Sequence, residues 1–310
     1  MNKYKEIKFI IKIRDKVNNS FIYAANNKIL FFLILLIAAL IFISPGLIRG
    51  AAGSDIMYHL LWFKHFTAQF FNGDLYPRWL MDLSAGCGYP VFYFYTPLIY
   101  YFTAILSLIN LPFYQFDGYS EILLAILIIT LLSTYFCYKF LKLYINNNAA
   151  CFLASLFYCL LPYKMILFHS FNQFTYYTTF LWIPLLLIAT KKLAMGNKYS
   201  FFYLTASYAG LLLSTIPCII VLTPLPIFYF IYLIYFEHQH NKLKKSIIFL
   251  ASLITSFSIT AFYLMPMYFL QDLVFLSVTE NNFMWSDHAY YKNNFLFFPI
   301  LKSTIYSQTI

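Results

Sequence analysis

An all-α polytopic membrane protein is the fold class that the sequence predicts, and three observations predict it. Of 310 residues, 62% are hydrophobic and 10% charged, with 36 Phe and 29 Tyr, a composition outside the range of soluble globular chains. Apolar runs of the ~20 residues that a crossing helix needs recur along the chain. The basic residues fall in short segments flanking those runs rather than along a stripe, so the net charge of +10 reads as a membrane signature and no nucleic-acid partner is expected.

The runs lie at 29–48, 91–111, 119–141, 150–168, 175–194, 199–216, 217–236 and 246–268. Lys and Arg in short loops stay on the cytoplasmic side, which decides which runs cross. If 91–111 does not cross, the N-terminal tail, the pair Lys139 and Lys142, the loop of Lys191, Lys192 and Lys198 and the loop of Lys242, Lys244 and Lys245 share one side, gathering most of the 21 basic residues. If 91–111 crosses, those groups divide between the two sides. The expectation is therefore a bundle of about seven transmembrane helices with a cytoplasmic N-terminus, occupying residues 29–268. A large outer first loop, 49–118, carries juxtamembrane helices, among them "VFYFYTPLIYYFTAILSLI", whose Tyr and Phe suit the membrane interface.

Residues 1–28 form a basic tail in which Lys alternates with Ile and Phe at roughly helical spacing. The tail reads either as an interfacial helix or as a plain orientation signal, and the following run as an uncleaved signal anchor. Residues 269–310 make an outer C-terminal segment, expected to be incomplete. Four of the five cysteines fall in apolar runs and only Cys87 in a polar context, so no disulfide framework is implied.

The chemistry concentrates in the first loop. In "SDIMYHLLWFKHF", residues 54–66, Ser54 is a good helix N-cap and Asp55 would sit in the first turn, where negative charge is favoured. At 100° per residue Asp55, His59, Trp62 and Phe66 share one face, while Met57, Leu60, Leu61 and Lys64 take the other. Such a helix can lie on the bilayer and aim Asp55 and His59 over the bundle. Asp55 there is either a general base or simply a helix cap. A hydrogen-bonding role suits His59, whereas His65 lies off that face, and the two histidines match no metal-ligand pattern. Further on, Arg78 beside Trp79 suits either a phosphate or an interfacial anchor. Lys164, following Pro162 and Tyr163, suits phosphate contact or, more simply, snorkelling. "WSDHAYY" at 285–291 reads as a polar outer loop.

The early aspartate, then "YPRW", then "GYPVFYFYTPLIYY", and finally "AFYLMPMYFLQDLV" at 261–274 resemble the bacterial membrane family labelled 6-pyruvoyl-tetrahydropterin synthase-related, and YfhO-like proteins. That family in turn resembles the GT-C superfamily of polytopic glycosyltransferases. The resemblance implies a GT-C-like module in the bacterial cytoplasmic (inner) membrane. Its expected activity is transfer of a sugar from a polyprenyl-phosphate donor to an envelope glycan or lipid acceptor on the outer side. It implies Asp55 as general base, Arg78 and Lys164 as contacts of the donor phosphate, and His59, Trp62, Trp79, Tyr89 and Tyr95 as residues lining the substrate. No cofactor beyond the lipid-linked sugar is evident, and a divalent metal is neither required nor excluded. The chain departs from the family around "SFNQFTYYTTF" and "STIP" and at Leu270, where relatives carry charged residues. Two alternatives accordingly stand beside the transferase: a lipid or polysaccharide transporter or flippase, and a non-catalytic truncated remnant.

Overall fold

The computed structural model describes residues 20, 22–50, 55–109, 118–236 and 240–270. The first spanning helix, α1 (Lys28–Arg49), starts where Asn27 Oδ1 accepts from Leu30 N at 3.2 Å, and it stops at Gly50, whose φ of 73° is open to glycine. There follow α2 (Ile56–Phe71), the short α3 (Val91–Phe94) and α4 (Leu98–Leu106), and then α5 (Tyr119–Leu141). Glu121 accepts from the backbone N of Gly118 at 2.8 Å and thereby closes the N-terminus of α5. At nine residues α4 is about 14 Å long, too short to cross a hydrocarbon core of ~30 Å. The described part of the apolar run, 91–109, therefore holds two short helices, neither long enough to span.

Beyond it lie α6 (Asn148–Cys159), α7 (Pro162–Met165) and a π-helical turn at Ile166–Ser170. Pro162 lacks the N–H that would continue α6 and begins a new helix instead, so this span is built of three pieces. The chain continues through α8 (Phe174–Ala194), α9 (Ser200–Leu212), α10 (Ile216–Leu222), α11 (Pro224–Phe236) and α12 (Lys242–Leu270).

Among the described residues five stretches are long and apolar enough to cross a membrane: Lys28–Ile48, Tyr119–Leu141, Asn148–Ser170, Ile216–Phe236 and Lys242–Leu270. The two remaining expected spans, 175–194 and 199–216, are helical but differ from these. α9, with 13 residues, is only about 20 Å long. α8 has the length, but its polarity is that of a helix surrounded by protein. Thr178, Thr179 and Thr190 are buried and each donates to a backbone carbonyl three or four residues back.

Packing explains the centre of the bundle. α8 lies against α5 and α9, and α9 against α12. Along α12, Ser252, Ser256 and Thr260 form a buried stripe at four-residue spacing, and Ser256 Oγ donates to the carbonyl of Thr205 on α9 at 3.0 Å. Small hydroxyl residues let the two backbones approach, which apolar lipid cannot drive by itself. Between α8 and α9 the indole of Trp182 rests on Gly210, where an added Cβ would come within 2.4 Å of the ring. Gly210→Ala is expected to cost roughly 1–3 kcal/mol through overpacking. Thermal unfolding in detergent checks this, with partial recovery expected when Trp182→Leu makes room.

Candidate functional site

Three places hold the sequence-predicted residues. The first is the N-terminal end of α2. Asp55 is the N-cap residue itself (φ −102°, ψ 1°) rather than a first-turn residue, and its side chain makes no capping hydrogen bond. The expected cap, Ser54, lies outside the described residues. The predicted face is realised: His59 and Phe66 are buried and Trp62 half-buried, while Met57, Leu61 and Lys64 are exposed and Leu60 is half-buried. His65 sits off this face and meets Asp82 at 3.6 Å across the connection.

His59, 2% exposed, is the hub. Its Nδ1 lies 2.6 Å from the hydroxyl of Tyr100 on α4. Its ring is 4.8 Å from Phe174 at the start of α8, and 5.9 Å from both Trp62 and Tyr95. Trp62 and Tyr95 meet edge to face at 5.0 Å, and Tyr95 pairs with Thr175 at 3.3 Å. Asp55 acts electrostatically on both Tyr95 and Tyr100. Burial pushes the Tyr95 hydroxyl up to about 12, against the opposing bond from Thr175, and drives Tyr100 well above the ordinary tyrosine value. Both therefore stay protonated. Burial also pulls His59 down to about 4, opposed by its bond to the Asn172 backbone. A neutral imidazole offers one donor and one acceptor, and the two partners, Tyr100 and Asn172, use both.

This makes His59 a positioning residue: it ties α2 to α4 and to the start of α8, with Asp55 one turn away. A stability consequence follows. Between pH 6.5, the ordinary histidine value, and about 4, the unfolded chain binds a proton at His59 that the folded chain does not. The stabilisation from this site is complete above pH 6.5 and falls away toward pH 4 by up to roughly 3 kcal/mol. Unfolding midpoints measured across that range are expected to slope downward on acidification, and His59→Asn is expected to flatten the slope.

The second place is an open cleft of about 390 Å³ formed by the 74–81 stretch and Tyr93. Its walls are held by local bonds. Gln69 Nε2 donates to the carbonyl of Trp79 at 3.0 Å while its Oε1 accepts from Met81 N at 3.2 Å, and Leu80 and Tyr89 exchange backbone bonds at 2.9 and 3.1 Å. Gly88, at φ 78°, is obligatory, since a Cβ there would meet Trp79 Nε1 at 1.8 Å. Arg78 Nη2 donates to the carbonyl of Phe262 on α12 at 3.3 Å, and the guanidinium lies 4.8 Å from the Tyr76 ring centroid and 6.0 Å from that of Tyr93. Its Nε is buried with no hydrogen-bond partner. Tyr89 is exposed and contributes to this region through its backbone bonds with Leu80.

The third is Lys164, which neither snorkels to water nor joins Arg78. It is fully buried. Its Nζ donates to Ser133 Oγ on α5 at 3.3 Å and sits 3.9 Å from the Tyr158 ring centroid and 4.9 Å from that of Phe180. A new helix starts at Pro162, so Lys164 no longer follows the periodicity of α6.

α12 touches both of the first two places: Tyr263 donates to the carbonyl of Phe94 at 3.2 Å, and the Phe262 carbonyl accepts from Arg78 at 3.3 Å. Tyr100, Phe174 and Asn172 in the first place, and Asp74, Tyr76 and Tyr93 in the second, were not foreseen from the sequence. The one available signal was polar groups inside the aromatic run at 91–101. Among the described residues no three His, Cys, Asp or Glu side chains are grouped as a metal site.

The fold and these sites define an all-α polytopic membrane protein whose first long connection is a built structure. No protein-family model, curated protein or solved structure matches the chain.

Proposed function

We propose that the protein is a GT-C-like membrane glycosyltransferase. It moves a sugar from a polyprenyl-phosphate donor to a hydroxyl of an envelope glycan or lipid at the outer face of a bacterial cytoplasmic membrane. The observation that carries this reading is Asp55, a half-exposed carboxylate without a cap bond, at the end of a helix fixed by a buried histidine and within electrostatic reach of the Tyr95 and Tyr100 hydroxyls. In the reaction the acceptor oxygen bonds to the sugar's anomeric carbon as the bond from that carbon to the phosphate oxygen breaks. The acceptor proton passes to Asp55, and the polyprenyl phosphate leaves with the bonding electrons. Tyr95 lies within electrostatic reach of the carboxylate and packs on Trp62, and Arg78 supplies positive charge for the phosphate.

The test is transfer of labelled sugar by the full chain in lipid nanodiscs, from polyprenyl-phosphate hexoses to envelope glycan fragments. Transfer that depends on Asp55 supports the reading, and transfer unaffected by loss of that carboxylate overturns it. A second reading, a lipid or polysaccharide transporter, draws on one observation: Lys164 is an ionisable residue buried inside a broken span. Flux of a lipid-linked saccharide across vesicles, abolished by Lys164→Met and indifferent to Asp55→Asn, would favour it.

A further inference from the structure

We infer that the lysine-bearing end of the bundle, opposite the Asp55 end, is a docking surface for anionic phospholipid headgroups. The inference is independent of any sugar chemistry. Helix direction gathers the residues. Phe31, near the start of α1, meets Tyr138, near the end of α5, at 4.8 Å, and Asn148 Nδ2 at the start of α6 donates to Asn26 Oδ1 at 2.7 Å. Lys245, in the first turn of α12, donates to the carbonyl of Ala194, the last residue of α8, at 2.5 Å.

Charge is divided between the two ends. Every described lysine except Lys64 and Lys164 lies at this one, whereas the four described carboxylates, Asp55, Asp74, Asp82 and Glu121, lie in the first connection or at the start of α5. Glu237, the one carboxylate in the loops that join these helices here, lies outside the described residues.

Helix electrostatics accounts for only part of this charge. Lys139, Lys191 and Lys192 occupy the last turns of α5 and α8, where the negative end of the helix dipole favours a cation. Lys242, Lys244 and Lys245 occupy the first turn of α12, where the positive end disfavours them, and no acidic residue shares that turn. Lys242 and Lys244 are exposed. Negative charge from outside the chain is what they complement.

Their neighbours select a lipid among anions. At this end Lys139 lies 5.4 Å from the ring centroid of Tyr135, Lys191 4.8 Å from that of Tyr144, and Lys242 5.2 Å from that of Tyr235. Tyrosine paired with an ammonium suits the headgroup level, where one side is apolar and the other wet. From the same turn of α12 an exposed stripe, Leu243, Ile247, Leu250 and Ile254, runs along the helix at three- and four-residue spacing. A soluble acidic polypeptide would meet the lysines and leave that stripe in water. A phospholipid meets the lysines with its phosphate and covers the stripe with its acyl chains.

The experiment places the full chain in nanodiscs of phosphatidylcholine, alone or mixed with phosphatidylglycerol, and reads the lipid retained on the protein by native mass spectrometry together with the thermal midpoint. Retained phosphatidylglycerol is expected to exceed its share of the bilayer by at least about fivefold, the factor that one lysine near an anionic surface contributes. The mixed discs are also expected to raise the midpoint. Lys242→Gln combined with Lys244→Gln is expected to lose the enrichment and that rise. In phosphatidylcholine alone the same variant should keep or raise the parent midpoint, because it removes charge that the helix dipole disfavours. That second reading separates lost docking from misfolding. Lys64→Gln, at the other end, is expected to change neither. Equal retention of the two lipids overturns the inference, as does enrichment that survives loss of Lys242 and Lys244 or that falls as far with Lys64→Gln. Polyglutamate that raises the midpoint in phosphatidylcholine as far as phosphatidylglycerol does overturns it too, in favour of a soluble acidic partner.

Discussion

Asp55→Asn is expected to lower sugar transfer by about 10²- to 10⁴-fold, the usual contribution of a positioned general base. The substitution is unusually clean at this position. Asp55 is the N-cap residue of α2 and makes no side-chain cap bond, and asparagine is at least as good a cap as aspartate. Neither packing nor helix start should change, so the unfolding midpoint is expected to stay within roughly 0.5 kcal/mol of the parent. His59 and Tyr100 remain bonded in the variant, holding the helix in place. Loss should therefore appear in kcat with KM little altered. Initial rates with labelled lipid-linked sugar make the measurement, and a variant retaining full kcat removes Asp55 from the chemistry.

Lys164 carries the second large effect. Its amine is enclosed by Ser133, Tyr158 and Phe180 inside a spanning segment, and no carboxylate faces it among the described residues. Electron-rich ring faces and one hydroxyl compensate only part of the cost of removing an ammonium from water. Lys164→Met, of similar length and apolar, is expected to leave stability unchanged or raise it by about 1–4 kcal/mol. Lys164→Glu is expected to cost about 3–5 kcal/mol, since a carboxylate would face the negative side of two rings. Thermal unfolding in detergent compares the three proteins. If Met destabilises as much as Glu, the amine's contacts hold the span together and the desolvation account of this site is wrong.

How far the sequence carried the structure depended on whether contacts were local. The face of α2 follows from 3.6-residue periodicity alone, and the buried set of His59 and Phe66 is what that periodicity gives. The distribution of lysines, far from the segment itself, set 91–111 apart from the other runs, and its described part, 91–109, holds only two short helices. Lys164 was not legible. Counting residues along a continuous helix places it near a membrane surface, whereas Pro162 and the π-helical turn after it break the count. The partners of the candidate sites were hidden for a different reason. Tyr100 meets His59 across 41 residues and Phe262 meets Arg78 across 184, separations that no local pattern encodes. α8 departs from its expectation as a span for another reason: it has the length, but its threonines, buried against protein, keep it out of the five stretches apolar enough to cross.

Among the described residues three bonds fasten the first long connection to the turn after α9 and to α12. Thr96 donates to Ser214 O at 2.8 Å, Tyr263 to Phe94 O at 3.2 Å and Arg78 to Phe262 O at 3.3 Å, across 118, 169 and 184 residues. During synthesis the connection emerges with the first helix, long before α12 exists. Its cleft and its aromatic nest can acquire their final shape only after α12 has been inserted and docked. Maturation of the site is thus coupled to docking of α12, and a nascent chain halted before Lys242 would carry four of the five described spans with the site still unassembled.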